Sequence, residues 1–150
     1  MNIAIVSPLF PRHIWALLAA YFVASLMHFA HNAEFIAIYP SMPAWIDRET
    51  VYLAWLTVSS LAVAGLFVTR LGLRALGLVL VGAYGACGLD GLGHYTLALC
   101  SEHTLATNLT IWFEVAAGLM LAVSSALLLG RRLAGAPAPT PSTAAGSPRP

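Results

Sequence analysis

The chain alternates long apolar runs with short polar connections. Four stretches are mostly apolar over about 20 residues, the length a helix needs to cross a bilayer. They run over about residues 13–39, 51–68, 73–99 and 109–129. The first is apolar from Ile14 to Met27 and mixed beyond. The connections, residues 40–50, 69–72 and 100–108, are short, which makes successive helices antiparallel neighbours. Pro40 and Pro43 end the first helix, because proline lacks an N–H and clashes with the preceding turn. Asp47 and Glu49 suit the start of the second, where the helix dipole favours negative charge. The expectation is an all-α membrane protein: a four-transmembrane-helix, up-down bundle over residues 1–130. Residues 131–150, rich in Pro, Ala, Ser and Thr, cannot bury a core and are expected to form a disordered tail.

Composition agrees and narrows the function classes. Of 150 residues, 59% are hydrophobic and 9% charged, with a mean hydropathy of +0.81. A soluble domain carries about 25% charged residues. An ordinary soluble enzyme is therefore excluded. The absence of lysine and of any arginine stripe excludes a nucleic-acid binder. The first apolar run has no basic n-region and no small-x-small cleavage site after it, so it reads as a retained helix. Cys87 and Cys100 make neither a CxxC pair nor a disulfide framework and read as small apolar side chains.

Charge placement gives an orientation. Arg12, Arg70, Arg74, Arg131, Arg132 and Arg149 fall on one side of the bundle, and only Arg48 falls on the other. The positive-inside rule then puts both termini in the cytoplasm. The expected setting is the lipid bilayer of a bacterial inner membrane, crossed several times, N-in and C-in. Tyr39, Trp45, Tyr52, Trp55, Tyr95 and Trp112 lie toward the opposite side, as an interfacial belt would.

That opposite side also collects the chemistry. All six acids lie there: Glu34, Asp47, Glu49, Asp90, Glu102 and Glu114. So do His28, His31, His94 and His103, four of the five histidines. At a rise of 1.5 Å per residue, His28 lies about 22 Å along the first helix. That is roughly 8 Å below the far surface of a core about 30 Å thick. Glu114 lies about 9 Å below the same surface, with Asp90 at a similar level. The second helix brings no such group and walls the bundle. On the first helix His28, His31 and Glu34 fan over about 120°, with Asn32 stacked on His28. Asp90 and His94 are i,i+4 on the third helix, among Gly88, Gly91 and Gly93. Gly82, Gly85, Gly88 and Gly91 recur every third residue and read as a close-packing ridge.

Ionisable groups in hydrocarbon are rare and are usually paired or functional. The candidate set is His28, His31, Glu34, Asp90, His94, His103 and Glu114. Its leading use is to bind a transition metal (zinc, iron, manganese or copper), for which imidazole and carboxylate are suitable ligands. Such a site would serve a membrane oxidoreductase or hydrolase acting on a lipophilic or periplasmic substrate. Without metal, the same groups would run general acid/base chemistry on a lipid. Haem held between histidines is an alternative. Another is a non-catalytic subunit whose cluster packs its own helices, a partner helix or a second copy. The HxxHxxE spacing matches no established signature, and no HExxH, P-loop or GxSxG is present. His13, beside Arg12, is assigned no role. His31, in the middle of the fan, is expected to be the most important histidine.

Overall fold

A computed structural model describes residues 9–135. Of the expected tail, all but residues 131–135 lies outside the described residues. The chain forms α1 (Arg12–Glu34), α2 (Arg48–Arg70), α3 (Arg74–Ala86), a short α4 (His94–Leu97) and α5 (Leu105–Ala134). A 3₁₀ helix, Cys87–Gly93, joins α3 to α4. Four helical spans of 23, 23, 24 and 30 residues result, each apolar enough to cross a membrane. The shortest is about 34 Å long at 1.5 Å per residue. No strand occurs among the described residues.

The bundle closes in chain order. α1 packs on α2 and α5, and α3 packs on α2 and α5, while α1 and α3 barely meet across the diagonal. Each inward stripe follows a 4-3 spacing. On α1 it is Ile14, Leu18, Tyr21, Ser25, His28 and Asn32; on α5 it is Thr107, Ile111, Glu114, Gly118, Leu121 and Ser125. That spacing is the helix-bundle seam, which keeps one face turned to its neighbours. The outward faces are apolar as well: Val23, Leu53, Val63, Phe67, Met120 and Leu127 are each more than half exposed. Soluble monomers rarely expose so continuous an apolar surface. Lipid is the solvent that covers it.

Glycine sets how closely α3 approaches both neighbours. A Cβ on Gly118 would stand 2.5 Å from the Gly85 carbonyl oxygen, and one on Gly77 would stand 2.8 Å from that of Gly65. The expected ridge is therefore in contact, with Gly85, Gly88 and Gly91 on α5 and Gly82 against Ser125.

The spans differ from the expected ones at their ends. α1 stops at Glu34 rather than near Tyr39, and the chain turns through a 3₁₀ helix, Ile36–Ile38. Pro40 disfavours helix in the residue before it, and Tyr39 folds back until it is 4% exposed. α5 starts earlier, on a Thr104 cap that accepts from the Thr107 N–H at 3.1 Å, and runs on through Ala134. α2 starts on Asp47, whose Oδ1 accepts from the Thr50 hydroxyl and from the Thr50 N–H at 2.8 Å.

Those two bonds from Thr50, the hydroxyl's first, hold the Asp47 carboxyl below the usual carboxylate range. A value lowered in the folded state contributes stability above the unfolded pKa, and that contribution disappears as pH falls through the folded one. Asp47→Ala is therefore expected to lower the thermal midpoint at neutral pH. Melting curves followed by circular dichroism should show the gap to wild type closing as pH falls through the carboxylate range. A gap independent of pH would mean that the cap works without its charge.

Candidate functional site

The third span decides the shape of the site. After Ala86 the α-helix tightens into the 3₁₀ helix Cys87–Gly93, which turns 120° per residue instead of about 100°. Positions three apart then eclipse. Gly88 and Gly91 thus lie on one line against α5, where a Cβ on Gly88 would meet the Glu114 carbonyl oxygen at 3.0 Å. One on Gly91 would meet Glu114 Oε2 at 3.3 Å. The same winding separates Asp90 from His94. As an α-helical i,i+4 pair they would stack, but here Asp90 is exposed at the rim and His94 turns inward.

His28 and Asn32 enter from the inward stripe of α1, 3% and 7% exposed. The Asn32 amide nitrogen lies 3.1 Å from His28 Nε2 and 3.1 Å from His94 Nε2. Two N–H donors on one nitrogen suit two accepting imidazoles, which places each ring proton on Nδ1. His28 Nδ1 then faces the Thr110 hydroxyl at 3.3 Å. On its other side, His28 Nε2 lies 3.5 Å from Glu114 Oε2, with both side chains almost fully buried. Asn32 Oδ1 and Glu114 Oε1 have no hydrogen-bond partner among the described residues.

An aromatic group continues the cluster toward the loops. The His94 ring packs on Tyr39 at 5.1 Å and edge-on to His103 at 6.1 Å between centroids. His103 is 7% exposed and also meets Tyr95 at 5.6 Å. His31 is half-buried and shares a 2.7 Å hydrogen bond with the Tyr39 hydroxyl. Burial pushes the Tyr39 phenol up to about 12, so the hydroxyl stays neutral.

The structure thus gathers His28, His94 and Glu114 around Asn32, with His103 beside His94 and Asp90 at the rim. His31 reaches this group only through Tyr39. Glu34 does not reach it: the carboxylate pairs with Arg48 at 2.8 Å and accepts from the Tyr52 hydroxyl at 2.8 Å. The physical reason is the stripe. His28 and Asn32 continue the 4-3 run from Ile14, whereas His31 and Glu34 fall beside it. The i,i+4 spacing had already stacked Asn32 on His28, and continuing the run from Ile14 would have made it a member of the site. Tyr39, read as part of the interfacial belt, carried no signal, because only the turn at Pro40 brings it back.

A cavity of about 320 Å³ opens on the cluster. His28, Asn32, Asp90, His94 and Glu114 supply its polar side; Phe29, Met42, Trp45, Ile46, Val51 and Ala54 supply an apolar wall. Among the described residues, no three His, Cys, Asp or Glu side chains are arranged to hold a metal ion. The Asn32 amide stands where ligands would converge, so a metal, or a haem between His28 and His94, would require that side chain to leave. No family model, characterised protein or solved structure matches this chain.

The changed roles give a direct comparison. His28→Ala leaves Asn32 and Glu114 short of a buried partner and is expected to cost about 1–3 kcal/mol. His31→Ala removes one half-buried hydrogen bond and is expected to cost about 1 kcal/mol or less. Unfolding of the detergent-solubilised protein by denaturant reads both; a larger loss for His31→Ala would contradict the arrangement described.

Proposed function

We propose that the chain is a multi-pass membrane protein whose cavity binds a lipophilic molecule by its polar head. The observation that carries this reading is the pairing of unmet polar atoms with an apolar wall. Glu114, 1% exposed, and Asn32 belong to the polar side of a cavity whose other side is an apolar wall, and behind that side Glu114 Oε1 and Asn32 Oδ1 have no hydrogen-bond partner among the described residues. Buried polar groups are normally satisfied, and exceptions call for an explanation. A head group with hydroxyl or amine donors would draw the Glu114 and Asn32 side chains toward it and pair with these oxygens while its tail lay along Met42, Trp45 and Ala54. The volume lies at the small end of the range for ligand pockets, about 300–1,000 Å³. Glu114, beside His28, would give or take a proton at that head, the role a carboxyl serves in general acid/base catalysis.

The reading takes the arginine end as cytoplasmic, which puts the cavity in the outer leaflet of a bacterial inner membrane. Arginine asymmetry supports that orientation. A periplasm-active reporter fused after Gly130 should stay silent; activity would reverse the assignment.

The cavity is tested on the full chain purified in mild detergent, by solvent extraction and mass spectrometry of what remains bound. A stoichiometric lipophile is expected, lost in Ala54→Trp, which fills the wall without touching the polar side. Stoichiometric metal that disappears in His94→Ala, with no lipophile, would overturn the reading in favour of a metal centre. Neither lipophile nor metal would leave the cluster as packing between helices.

A further inference from the structure

A second cavity, of about 310 Å³, lies at the opposite end of the bundle, between the residues before α1, the first turn of α3 and the last turn of α5. Arg74 reaches it from α3, and Arg131 and Arg132 from α5. Its floor is apolar, with Phe10 3% and Leu78 2% exposed. All six acidic side chains of the chain belong to the other end of the bundle. Guanidinium groups bordering a greasy floor match a phosphate joined to acyl chains. Arginine binds phosphate oxygens through paired N–H groups. Basic pockets between spans are a recognised way of holding anionic lipid heads.

An excess of arginine at one membrane face is also what topology alone would produce. Topology needs only the charges, spread anywhere along the edge. Here three of them, from two helices, border one cavity whose depth is apolar, while Arg12 and Arg70 at the same end do not line it. We infer that this cavity is a specific site for the phosphate head of an anionic phospholipid, independent of the ligand at the acid-rich end.

The test uses the full chain in a neutral detergent, with phosphatidylglycerol as the probe, phosphatidylcholine as the zwitterionic control, and native mass spectrometry counting retained lipid. Wild type should keep phosphatidylglycerol in preference to phosphatidylcholine. R131Q/R132Q should weaken retention roughly thirtyfold. Leu9→Trp, which narrows the cavity and keeps every charge, should weaken it too. R12Q and R70Q should leave it unchanged. Equal losses in R12Q or R70Q would overturn the proposal and leave diffuse attraction. Unchanged binding in Leu9→Trp would overturn the seat in the cavity. Displacement of the lipid by millimolar inorganic phosphate would show the ligand to be free phosphate and overturn the lipid assignment. Helical circular dichroism of each variant confirms folding, since Arg131 and Arg132 are exposed on the last turn of α5.

Discussion

Glu114→Met is expected to abolish retention of the bound lipophile and to leave the bundle at least as stable as wild type. The two halves of that result come from one observation. Glu114 is buried on the seam between α5 and the 3₁₀ segment, and Oε1 has no partner among the described residues. An unmet buried polar group costs about 1–3 kcal/mol. Methionine has a similar length, lacks the polar atoms and adapts to irregular space. Replacing a buried ionisable group by an apolar one of like volume is often neutral or stabilising. His28 keeps Asn32 and Thr110, so the change strands no partner. A carboxyl kept only for packing would behave in the opposite way: its removal would loosen the bundle. Thermal unfolding beside extraction and mass spectrometry separates the two. A clear drop in stability with the lipophile retained would sink the site reading. Such a trade between stability and activity is usual where a site is strained or unsatisfied.

The second large effect is expected at Gly118. Gly118→Val should prevent the native bundle from assembling, because a Cβ there would lie 2.5 Å from the Gly85 carbonyl oxygen and 3.0 Å from the Tyr21 ring. Neither contact can yield by rotating a flexible side chain: one is backbone and the other a ring stacked 4.5 Å from Tyr84. Overpacking a tight core costs about 1–3 kcal/mol and sometimes more, and here α1, α3 and α5 would all have to move. Gly130→Val is the control, since nothing stands within 4 Å of a Cβ at that position. Proteolysis of the two variants in detergent should digest the first and spare the second. Equal resistance would mean that α3 and α5 are not in contact as described.

Much of this was legible in the chain because lipid demands it. A span must satisfy its own backbone hydrogen bonds, so four apolar runs of the right length could hardly fold as anything but four helices. Short connections then fixed their order around the bundle. The separation of the acids from every arginine but Arg48 was equally plain, being a property of the sequence and not of packing. Helix ends were less legible. Capping depends on one residue each: Asp47 was read as a helix start but Thr104 was not, and an apolar run carries no mark of where its last turn stops.

The members of the site were the least legible. Counting ionisable residues at one depth treats all sides of a helix alike. Only packing chooses the side, and it chose His28 and Asn32 over His31 and Glu34. It also wound Cys87–Gly93 as a 3₁₀ helix, where close approach to α5 favours eclipsed glycines; that local change of pitch separated Asp90 from His94. The number of spans, their order and the polar end of the bundle follow from the residues alone, because hydropathy and charge act residue by residue. Which side chains meet depends on packing. A difference of 20° per residue in helical winding, or one turn back at Pro40, moves a group from the lipid face to the seam without changing a letter of the chain.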